Sequence, residues 1–344
     1  MYFATIDCGT TNSRIYILDH NFRVINKGEK KVGVKDTAIN GSNQVLKEGL
    51  KEVLLDTVAR TGLTIEQIKF AITSGMITSE IGLLEIPHLW APVGIEELAE
   101  GVKEVNDQGV FPIDLPLLFI RGVKNYFPAE TTYRDIRKID FMRGEETQVV
   151  GLLSLYPELE LPLNMVVLSS HTKFIHLNKE QEICGSITTL SGQTYEAVKK
   201  ETFIGKSIQA NGPAEVKDYL NQEIIDTAYD SVRHAGFLRT LLMPRFMEVL
   251  INTNWYERKL FVEAAIVSED LRALGEFKDL RFSSDSSFVL VGHQIRCRIM
   301  SYLLKKYYNI TRIITIDHKE EIDQLSIAGA IMIARKNGYL KGSV

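Results

Sequence analysis

Apolar positions at the start of the chain form two short runs separated by a polar turn. The stretch Tyr2–Ile6 is the first run and Ile15–Leu18 is the second, with small residues and a glycine between them. The simplest fold for this pattern is a strand, a tight turn and a second strand. The same pattern recurs at Met165–Leu168 and Phe174–Leu177, which flank the polar turn Ser169–Lys173. The sequence therefore predicts two hairpins of the same kind.

Longer stretches repeat apolar residues every three or four positions, which predicts amphipathic helices. These stretches are residues 45–61, 195–202, 214–236, 238–250, 256–274, 295–308 and 323–335. Short apolar runs that predict further strands are residues 22–25, 68–73, 117–122, 288–291 and 313–316. Residues 84–135 are rich in proline and show little periodicity, so we expect an irregular excursion there with a single strand at 117–122.

The order of these elements predicts a duplicated α/β architecture. Each half opens with strand–turn–strand and ends in helices, and 344 residues suffice for two domains of ordinary size. We place the domains at residues 1–155 and 156–344, with a cleft between them. Hairpin strands are antiparallel and crossover connections are not, so each domain should contain a mixed sheet.

Composition and charge narrow the class of protein. Apolar residues make up 45% and charged residues 24% of the chain, the mixture of a soluble globular protein. A formal net charge of −4 argues against a general nucleic-acid surface, which is usually basic. Three distant cysteines, Cys8, Cys184 and Cys297, suit a reducing compartment. The sequence shows no basic-then-apolar leader and no apolar stretch of about 20 residues, so we expect a cytoplasmic protein that does not bind a membrane. A homodimer is possible on this sequence.

The first turn carries the clearest candidate chemistry. It reads Asp7-Cys8-Gly9-Thr10-Thr11-Asn12-Ser13-Arg14 and concentrates backbone N–H groups and small hydroxyl side chains after a carboxylate. Backbone donors in a glycine turn can cradle phosphate oxygens, and a nearby aspartate can hold the accompanying Mg²⁺. The alternative is an ordinary edge hairpin whose polar residues only stabilise the turn.

Other small-residue elements follow in an order suited to a nucleotide held between two domains. A P-loop motif and a G-x-G-x-x-G after the first strand are both missing from the sequence. The loop Ser74–Ser79 follows a strand, where ligand crevices form in open sheets, although a plain connection explains it equally well. The remaining elements are the helix start at Gly144-Glu145, the turn Ser169–Lys173, the strand–Gly292–helix unit and the small residues around Gly329.

This series of elements resembles the actin-like ATPase and sugar-kinase superfamily from residue 2 to about 335. Within it, Met142-Arg143-Gly144-Glu145-Glu146-Thr147-Gln148 resembles the M-R-G-E-E-T-Q signature of the 2-dehydro-3-deoxygalactonokinases. The first turn resembles their D-W-G-T-T-N-x-R opening, Ser74-Gly75-Met76-Ile77 their G-M-I-G loop, and Thr189-Leu190-Ser191-Gly192 their M-T-G-E segment. The seven-residue run is the specific part of the resemblance.

The resemblance implies a two-domain ribonuclease-H-like α/β fold of the actin-like ATPase type, with mixed sheets flanked by helices and an interdomain cleft. It implies a kinase that uses ATP and Mg²⁺ to phosphorylate the 6-hydroxyl of 2-dehydro-3-deoxy-D-galactonate or a close 2-keto-3-deoxy sugar acid. In this scheme Asp7 holds Mg²⁺ through water. Residues expected to contact ATP are Gly9, Thr10, Thr11, Asn12, Ser169, Ser170, Lys173, Gly292, His293 and Gly329.

The acceptor side is expected around the helix start. Glu145 is our candidate for the general base, with Glu146 as the alternative, since a carboxylate can accept the hydroxyl proton. Both acids could instead simply favour the helix N-terminus. Arg14 and Arg143 are candidates for pairing with the substrate carboxylate, or for structural salt bridges. Residues expected to line the sugar-acid site are Gly75, Met76 and Gly144.

Two departures from the family pattern leave a rival function open. The second turn begins Ser169-Ser170 where the family has Gly-Thr, which removes the residue that most easily lets phosphate approach the backbone. His293 replaces a serine after Gly292, and either stacks on a base or caps the helix. The rival is a non-catalytic nucleotide-binding regulator or sensor on the same fold.

Two further features are interpreted as structural. Trp90 and Trp255 show no stacking-platform pattern, so we assign both to packing. The basic run Lys27–Lys31 is interpreted as a solvated turn.

Overall fold

A computed structural model describes residues 1–210, 216 and 218–340. The chain clusters into two compact units. The first contains residues 1–159, 178–185 and those from Asp323 on, and the second contains residues 160–177 and 186–322. The expected boundary after residue 155 lies close to the first change of unit, whereas the C-terminal helix clusters with the first unit. Within the described ranges, no helix is long and apolar enough to cross a membrane.

The secondary structure alternates strands and helices in both halves of the chain. The N-terminal half contains β1 (Tyr2–Cys8), β2 (Ser13–Leu18), β3 (Val24–Lys30), α1 (Val34–Asn40), α2 (Gln44–Ala59), β4 (Ile68–Gly75), β5 (Leu89–Trp90), α3 (Ile95–Glu100), β6 (Lys103–Val105), β7 (Leu117–Phe119), β8 (Val123–Lys124), β9 (Phe141–Met142) and α4 (Glu145–Leu155). The C-terminal half contains β10 (Leu163–Leu168), β11 (Thr172–Leu177), β12 (Ile183–Thr189), α5 (Ser191–Glu201), α6 (Ile204–Ser207), α7 (Gln222–Ala235), α8 (Phe237–Val249), α9 (Trp255–Asp270), α10 (Phe277–Leu280), β13 (Ser287–Gly292), α11 (Gln294–Tyr308), β14 (Ile313–Ile316) and α12 (Lys319–Lys336).

The first unit is built on a six-stranded mixed sheet in the order β3-β2-β1-β4-β7-β6. The hairpin β1–β2 is antiparallel, and β1 pairs with β4 in parallel. Because both pairings share β1, the ends of β1 and β4 lie side by side, with Asp7 opposite Ser74. Helix α2 buries Leu46, Leu50 and Leu54 in the apolar core of this unit. The prediction of a hairpin feeding a mixed sheet is confirmed.

The third strand differs from its prediction. It runs over Val24–Lys30 and not over residues 22–25, so most of the basic run assigned to a solvated turn lies in a strand. The strand pairs with β2, and its Gly28 leaves room for helix α2: a Cβ there would stand 2.0 Å from the Thr57 hydroxyl oxygen. Close packing against helix α2 therefore explains why this polar segment forms a strand and not a solvated turn.

The proline-rich excursion contains more regular structure than expected. Besides β7 it forms α3, β6 and the short strands β5 and β8. Strands β5, β8 and β9 build a separate three-stranded sheet in that order. Strands of two residues carry too little pattern to be recognised from periodicity, which explains why the sequence predicted a single strand here.

The second unit repeats the plan of the first. Its five-stranded sheet has the order β12-β11-β10-β13-β14, with an antiparallel hairpin β10–β11 and parallel pairs β10–β13 and β13–β14. The first five strands of the other sheet have the equivalent order β3-β2-β1-β4-β7. The duplicated α/β architecture is therefore confirmed, although strand β12 was not predicted.

Helices of the second unit pack around α9. Val262 and Ile266 of α9 form a buried apolar cluster with residues of α5 and α6, including Tyr195 and Ile204. Helix α7 begins at Gln222, later than the predicted residue 214, because the Asn221 side chain caps it by accepting from the backbone N–H of Ile224. Residues 214, 215 and 217 of that prediction lie outside the described residues.

A buried histidine makes the second unit sensitive to acid. His176 on β11 stacks on Phe282 with ring centroids 5.1 Å apart, and its Nδ1 lies 2.9 Å from Asn164 Oδ1. Burial lowers the pKa of His176 to about 4. The folded state therefore holds the imidazole neutral under conditions where the unfolded chain, with a pKa of about 6.5, would protonate it.

We expect this histidine to cost about 2 kcal/mol of unfolding free energy between pH 7.5 and pH 5. The unfolded state binds the extra proton, so stability rises with pH through this window. Urea unfolding at both pH values should show a smaller loss for His176→Gln than for the wild type. An equal loss in the two proteins would contradict the assignment.

Candidate functional site

The first turn is closed by its own hairpin. Asp7 pairs with Arg14 and Cys8 with Ser13 across β1 and β2, and the Gly9 N–H donates to the Asn12 carbonyl at 2.9 Å. The buried Ser13 hydroxyl donates to the Val32 carbonyl at 2.8 Å, so it serves the fold. Residues Gly9, Thr10, Thr11 and Asn12 thus form a tight loop at the ends of the two strands.

Helix α1 fixes the carbonyl groups of this loop. The N–H groups of Val34 and Lys35 donate to the carbonyls of Gly9 and Thr10 at 3.3 and 2.9 Å. Gly33 permits this approach, because a Cβ there would stand 2.5 Å from the Thr10 carbonyl oxygen. Across the described residues, the backbone N–H groups of Thr10, Thr11 and Asn12 have no hydrogen-bond acceptor. The loop therefore keeps its donors available for an anion.

Two glycines bring helix α4 against the end of β4. Gly75 has φ +88° and Gly144 has φ +109°, both in the region that favours glycine. A Cβ on Gly75 would stand 2.5 Å from the Cys8 carbonyl oxygen, and one on Gly144 would stand 3.2 Å from Gly75 Cα. Three segments that the sequence singled out separately therefore meet: the first turn, the Gly75-Met76 loop and the helix start. Met76 packs partly against the core of this unit.

The two acids at the helix start have different surroundings. Glu146 is fully buried, and both of its carboxylate oxygens accept from the Gly144 N–H at 2.8 Å. Burial, and after it the charge of Glu145, raise the pKa of Glu146 to about 7, although the backbone donors and Arg143 lower it. Glu145 is half-buried, and among the described residues its carboxylate has no hydrogen bond or ion pair. Of these two carboxylates, that of Glu145 is the more accessible.

Asp7 belongs to a cluster of carboxylates with a single cation. Arg14 Nη1 lies 3.4 Å from Asp7 Oδ2 and 3.9 Å from Asp323 Oδ1, and Arg14 Nε lies 3.9 Å from Glu29. Burial raises the pKa of Asp7, Arg14 lowers it, and the charges of Asp323 and Glu145 raise it. Because the charge of Glu145 contributes to the raised pKa of Asp7, these two carboxylates interact electrostatically. Carboxylates outnumber cations around Arg14, but among the described residues no group of three or more His, Cys, Asp or Glu side chains is arranged to hold a metal ion.

Asp323 is a residue of this cluster that sequence reasoning missed. It is buried on α12, and the Tyr16 hydroxyl forms a hydrogen bond with it. Nothing in the local sequence of α12 marks an aspartate in its second turn as functional. Arg14 forms ion pairs with carboxylates of this cluster, which is the role of a structural residue. Its contact with a substrate carboxylate stays a prediction.

Arg143 is held by the loop that follows β4. Its Nη1 donates to the Thr78 hydroxyl at 2.6 Å and its Nη2 to the Ile86 carbonyl at 2.9 Å. His88 Nδ1 lies 3.4 Å from the same Nη2. Arg143 therefore fixes this loop beside the helix start, and a direct role with substrate stays a prediction.

The second turn, in the second unit, is held largely by its own groups. The Ser169 N–H donates to the His171 carbonyl at 3.0 Å, and the Ser169 hydroxyl contacts the same oxygen at 3.4 Å. The start of α5 supports the turn, since the Gln193 N–H donates to the Ser170 carbonyl at 2.9 Å. Gly192 allows this, because a Cβ there would stand 2.2 Å from the Ser169 carbonyl oxygen.

A buried ion pair supports the same turn from α11. Arg296 Nε donates to Glu263 at 2.7 Å, and its Nη1 donates to the Ser169 carbonyl at 3.3 Å. Both charged groups are buried. Lys173, which we expected at the nucleotide, is buried in β11, where its ammonium donates to the Thr188 hydroxyl. Neither Arg296 nor Glu263 carries a sequence signal that distinguishes it from other charges on its helix.

Asp270 forms a second buried polar cluster behind the turn. Its Oδ1 accepts from the hydroxyls of Thr189 and Ser191, the first at 2.6 Å. Burial raises the pKa of Asp270, and these hydroxyl donors lower it. Ser191 opens helix α5, so Asp270 anchors the segment that resembles the family's M-T-G-E.

Gly292 and His293 stand where β13 meets α11. Gly292 has φ +135°, and a Cβ there would stand 2.2 Å from the Leu168 carbonyl oxygen. His293 occupies the N-cap position, but its side chain makes no capping hydrogen bond. Its backbone N–H donates to Leu168 at 3.0 Å. His293 therefore occupies the cap position that the sequence suggested, without a side-chain hydrogen bond, and its stacking on a base stays a prediction.

Gly329 lies between two helices of the first unit. A Cβ there would stand 1.8 Å from the Thr147 carbonyl oxygen of α4, and one on Gly151 would stand 1.9 Å from the Leu325 carbonyl oxygen of α12. The glycine requirement comes from this close packing of α4 on α12. Contact of Gly329 with a nucleotide stays a prediction.

Two mixed sheets of equivalent strand order, each opening with a hairpin, define an actin-like ATPase and sugar-kinase type of fold. The resemblance extends to the activator of 2-hydroxyisocaproyl-CoA dehydratase from Clostridium difficile with bound ADPNP, at a TM-score of 0.50, 14% identity and full coverage of both chains. The chain belongs to the 2-keto-3-deoxy-galactonokinase family, whose model matches residues 7–330.

Individual relatives carry related names. A probable 2-dehydro-3-deoxygalactonokinase of Rhizobium meliloti (strain 1021) is 24% identical over 208 residues, which are 60% of this chain and 59% of that protein. The 2-dehydro-3-deoxygalactonokinase of Escherichia coli (strain K12) is 23% identical over 249 residues, 72% and 70% of the two chains. A crystal structure assigned as a 2-dehydro-3-deoxygalactonokinase protein from Sinorhizobium meliloti has a TM-score of 0.75 at 17% identity, with 99% of each chain covered. The chain spans less than two thirds of the first of these relatives.

Proposed function

We propose that this protein is an ATP-dependent kinase for the 6-hydroxyl of 2-dehydro-3-deoxy-D-galactonate or a close 2-keto-3-deoxy sugar acid. The observation that carries the proposal is the close approach of Gly75 and Gly144, which brings the helix start carrying Glu145 to the end of β4. Strand β4 pairs with β1, and Asp7 and Glu145 interact electrostatically. Phosphoryl transfer needs this set of parts: donors for phosphate, a carboxylate at the metal and a base for the hydroxyl.

Glu145 is the proposed general base. Its half-buried carboxylate is not engaged by other described residues, so it can accept the proton of the sugar hydroxyl as the oxygen attacks phosphorus. Glu146 is the weaker candidate, because both of its oxygens are occupied by the Gly144 N–H in a fully buried position. The proposed role of Glu146 is to hold Gly144 in its positive-φ conformation.

The residues of the first turn fit Mg²⁺ and phosphate. Asp7 is partly exposed, with 28% of its side chain accessible, and sits among more carboxylates than cations. Mg²⁺ binds through carboxylate oxygens and retained waters, so Asp7 is the proposed metal-holding group. The cation would neutralise charge on the phosphates. The N–H groups of Thr10, Thr11 and Asn12 are the proposed donors to phosphate oxygens.

The second unit has candidate nucleotide contacts of its own. Ser169 and Ser170 are proposed at the phosphates, and Gly292 and His293 at the adenosine. Arg296 and the start of α5 support this turn in the absence of the family's glycine. The buried position of Lys173 favours a structural part in the strand over contact with phosphate.

A coupled assay of ADP formation tests the proposal. With Mg-ATP we expect saturable turnover with 2-dehydro-3-deoxy-D-galactonate, and the gluconate epimer serves as the comparison substrate, since one hydroxyl separates the two. Omitting Mg²⁺ should abolish the signal. Measurable ATP binding without turnover on any 2-keto-3-deoxy sugar acid would reject the kinase and favour the non-catalytic nucleotide-binding regulator.

A further inference from the structure

The small sheet β5–β8–β9 of the first unit presents an aromatic and cationic row. Trp90 pairs with Lys124, and Lys124 pairs with Phe141, so these three residues stand side by side across the sheet. We call them the aromatic row. The neighbouring residues Val123 and Met142, one position along their strands, are buried. Because side chains alternate between the faces of a sheet, the aromatic row occupies the face opposite that core.

The aromatic row is exposed and its cation is fixed in place. Trp90 is 45% exposed and Phe141 is 55% exposed. The Lys124 ammonium lies 3.6 Å from the centroid of the Trp90 ring, and the Phe127 ring stands edge-on to Trp90 with their centroids 4.8 Å apart. Over the described part of the chain, Lys124 forms no ion pair. Its charge is therefore held above an aromatic face without a compensating carboxylate.

A second row on the same face leads to the helix start. It consists of His88, Gly122 and Arg143, two residues along their strands from the aromatic row. The side chains of His88 and Arg143 close over Gly122, where a Cβ would stand 2.8 Å from each of them. The His88 ring lies 5.2 Å from the Phe141 ring. Two residues of strand span roughly 7 Å, a length comparable to a six-carbon chain.

We propose that this face is the subsite for the carboxylate end of the sugar acid, with Lys124 as its specificity-determining residue. The proposal rests on the proposed kinase function, which fixes the reacting hydroxyl near Glu145. The occupant follows from charge and shape. The unpaired ammonium of Lys124 and the guanidinium of Arg143 match an anionic group, and the faces of Trp90 and Phe141 match the C–H surface of a polyol chain. Trp90 packs against Tyr126 and Phe127, as the sequence suggested, and the proposal adds a contact with substrate on its exposed part.

The chain offers its own reporter for this subsite, because Trp90 and Trp255 are its 2 tryptophans. In a Trp255→Phe background, tryptophan fluorescence comes from Trp90 alone. Titration with 2-dehydro-3-deoxy-D-galactonate should change this fluorescence saturably. The change should weaken about tenfold in apparent affinity when Lys124→Met is added, because methionine keeps an apolar stem over the ring and removes the charge.

Kinetics provide the second readout. For Lys124→Met we expect the KM for the sugar acid to rise about tenfold, with kcat and the KM for ATP within about threefold of the wild type. Lys124→Arg should restore most of the lost affinity, since it restores the cation. Lys103→Met, at an exposed lysine on β6, is the matched control and should leave all three constants unchanged.

The two proposals fail in different ways. A saturable Trp90 signal that depends on Lys124, without any turnover, would support the subsite and reject the kinase. Turnover of the sugar acid with a silent Trp90 and an unchanged KM in Lys124→Met would overturn the subsite and leave the kinase standing. Loss of both signals would overturn both proposals.

Discussion

Glu145→Gln is expected to lower kcat about 10³-fold while the dissociation constant for ATP changes less than about threefold. The amide keeps the size and polarity of the side chain but cannot accept the hydroxyl proton. Because no protein group in the described structure binds the Glu145 carboxylate, the substitution should leave the fold intact. Single-turnover phosphorylation and nucleotide titration, measured on the same preparation, separate the loss of chemistry from a loss of binding.

Glu146→Gln is the matched control, one residue along the same helix. Glu146 is buried against the Gly144 N–H, so this change should act on stability and on the helix start, with a loss of kcat below about tenfold. If Glu146→Gln abolished turnover and Glu145→Gln kept more than a tenth of it, the roles of the two acids would be reversed.

Gly329→Ala should lower the unfolding free energy by about 3 kcal/mol, which corresponds to roughly 4 °C in Tm for a chain of this length. The added Cβ would stand 1.8 Å from the Thr147 carbonyl oxygen, a backbone atom, so α4 and α12 must move apart. Differential scanning calorimetry measures the shift directly. These helices carry Glu145 and Asp323, so turnover should fall as well.

A second glycine provides the control for this experiment. Gly275 has open space where a Cβ would be added, and Gly275→Ala should leave Tm within about 1 °C. A Gly329→Ala protein as stable as the control would show that the helices tolerate separation, and the packing explanation for this glycine would then be wrong.

Long elements and the order of motifs were predictable from the sequence. The hairpins β1–β2 and β10–β11 followed from apolar runs around polar turns, and helices such as α2 and α11 followed from their periodicity. The meeting of Gly75 with Gly144 was predictable only as a resemblance, because two glycines 69 positions apart carry no pattern that brings them together. Their positive φ values became visible only in the backbone.

The buried charged residues that support the two turns could not be predicted from the sequence. Asp323 and Arg296 are single charges on helices, where most charges are solvated, and only burial and partners distinguish them. Trp90 packs against Tyr126 and Phe127, as the sequence suggested, yet it stays 45% exposed. Its cross-strand neighbours Lys124 and Phe141 lie on strands of two residues, which the sequence pattern could not reveal.

The clustering of α12 with the first unit sets an order of events during synthesis. The second unit is an insertion in the chain of the first, since residues 160–177 and 186–322 come before the segment from Asp323 on. At about 5–20 residues per second, a ribosome needs roughly ten to thirty seconds to pass from the end of α4 to α12. Throughout that interval the N-terminal sheet exists without the helix that packs on Gly151 and supplies Asp323 to Arg14. The first unit therefore cannot be completed until α12 has been synthesised, after the segments of the second unit.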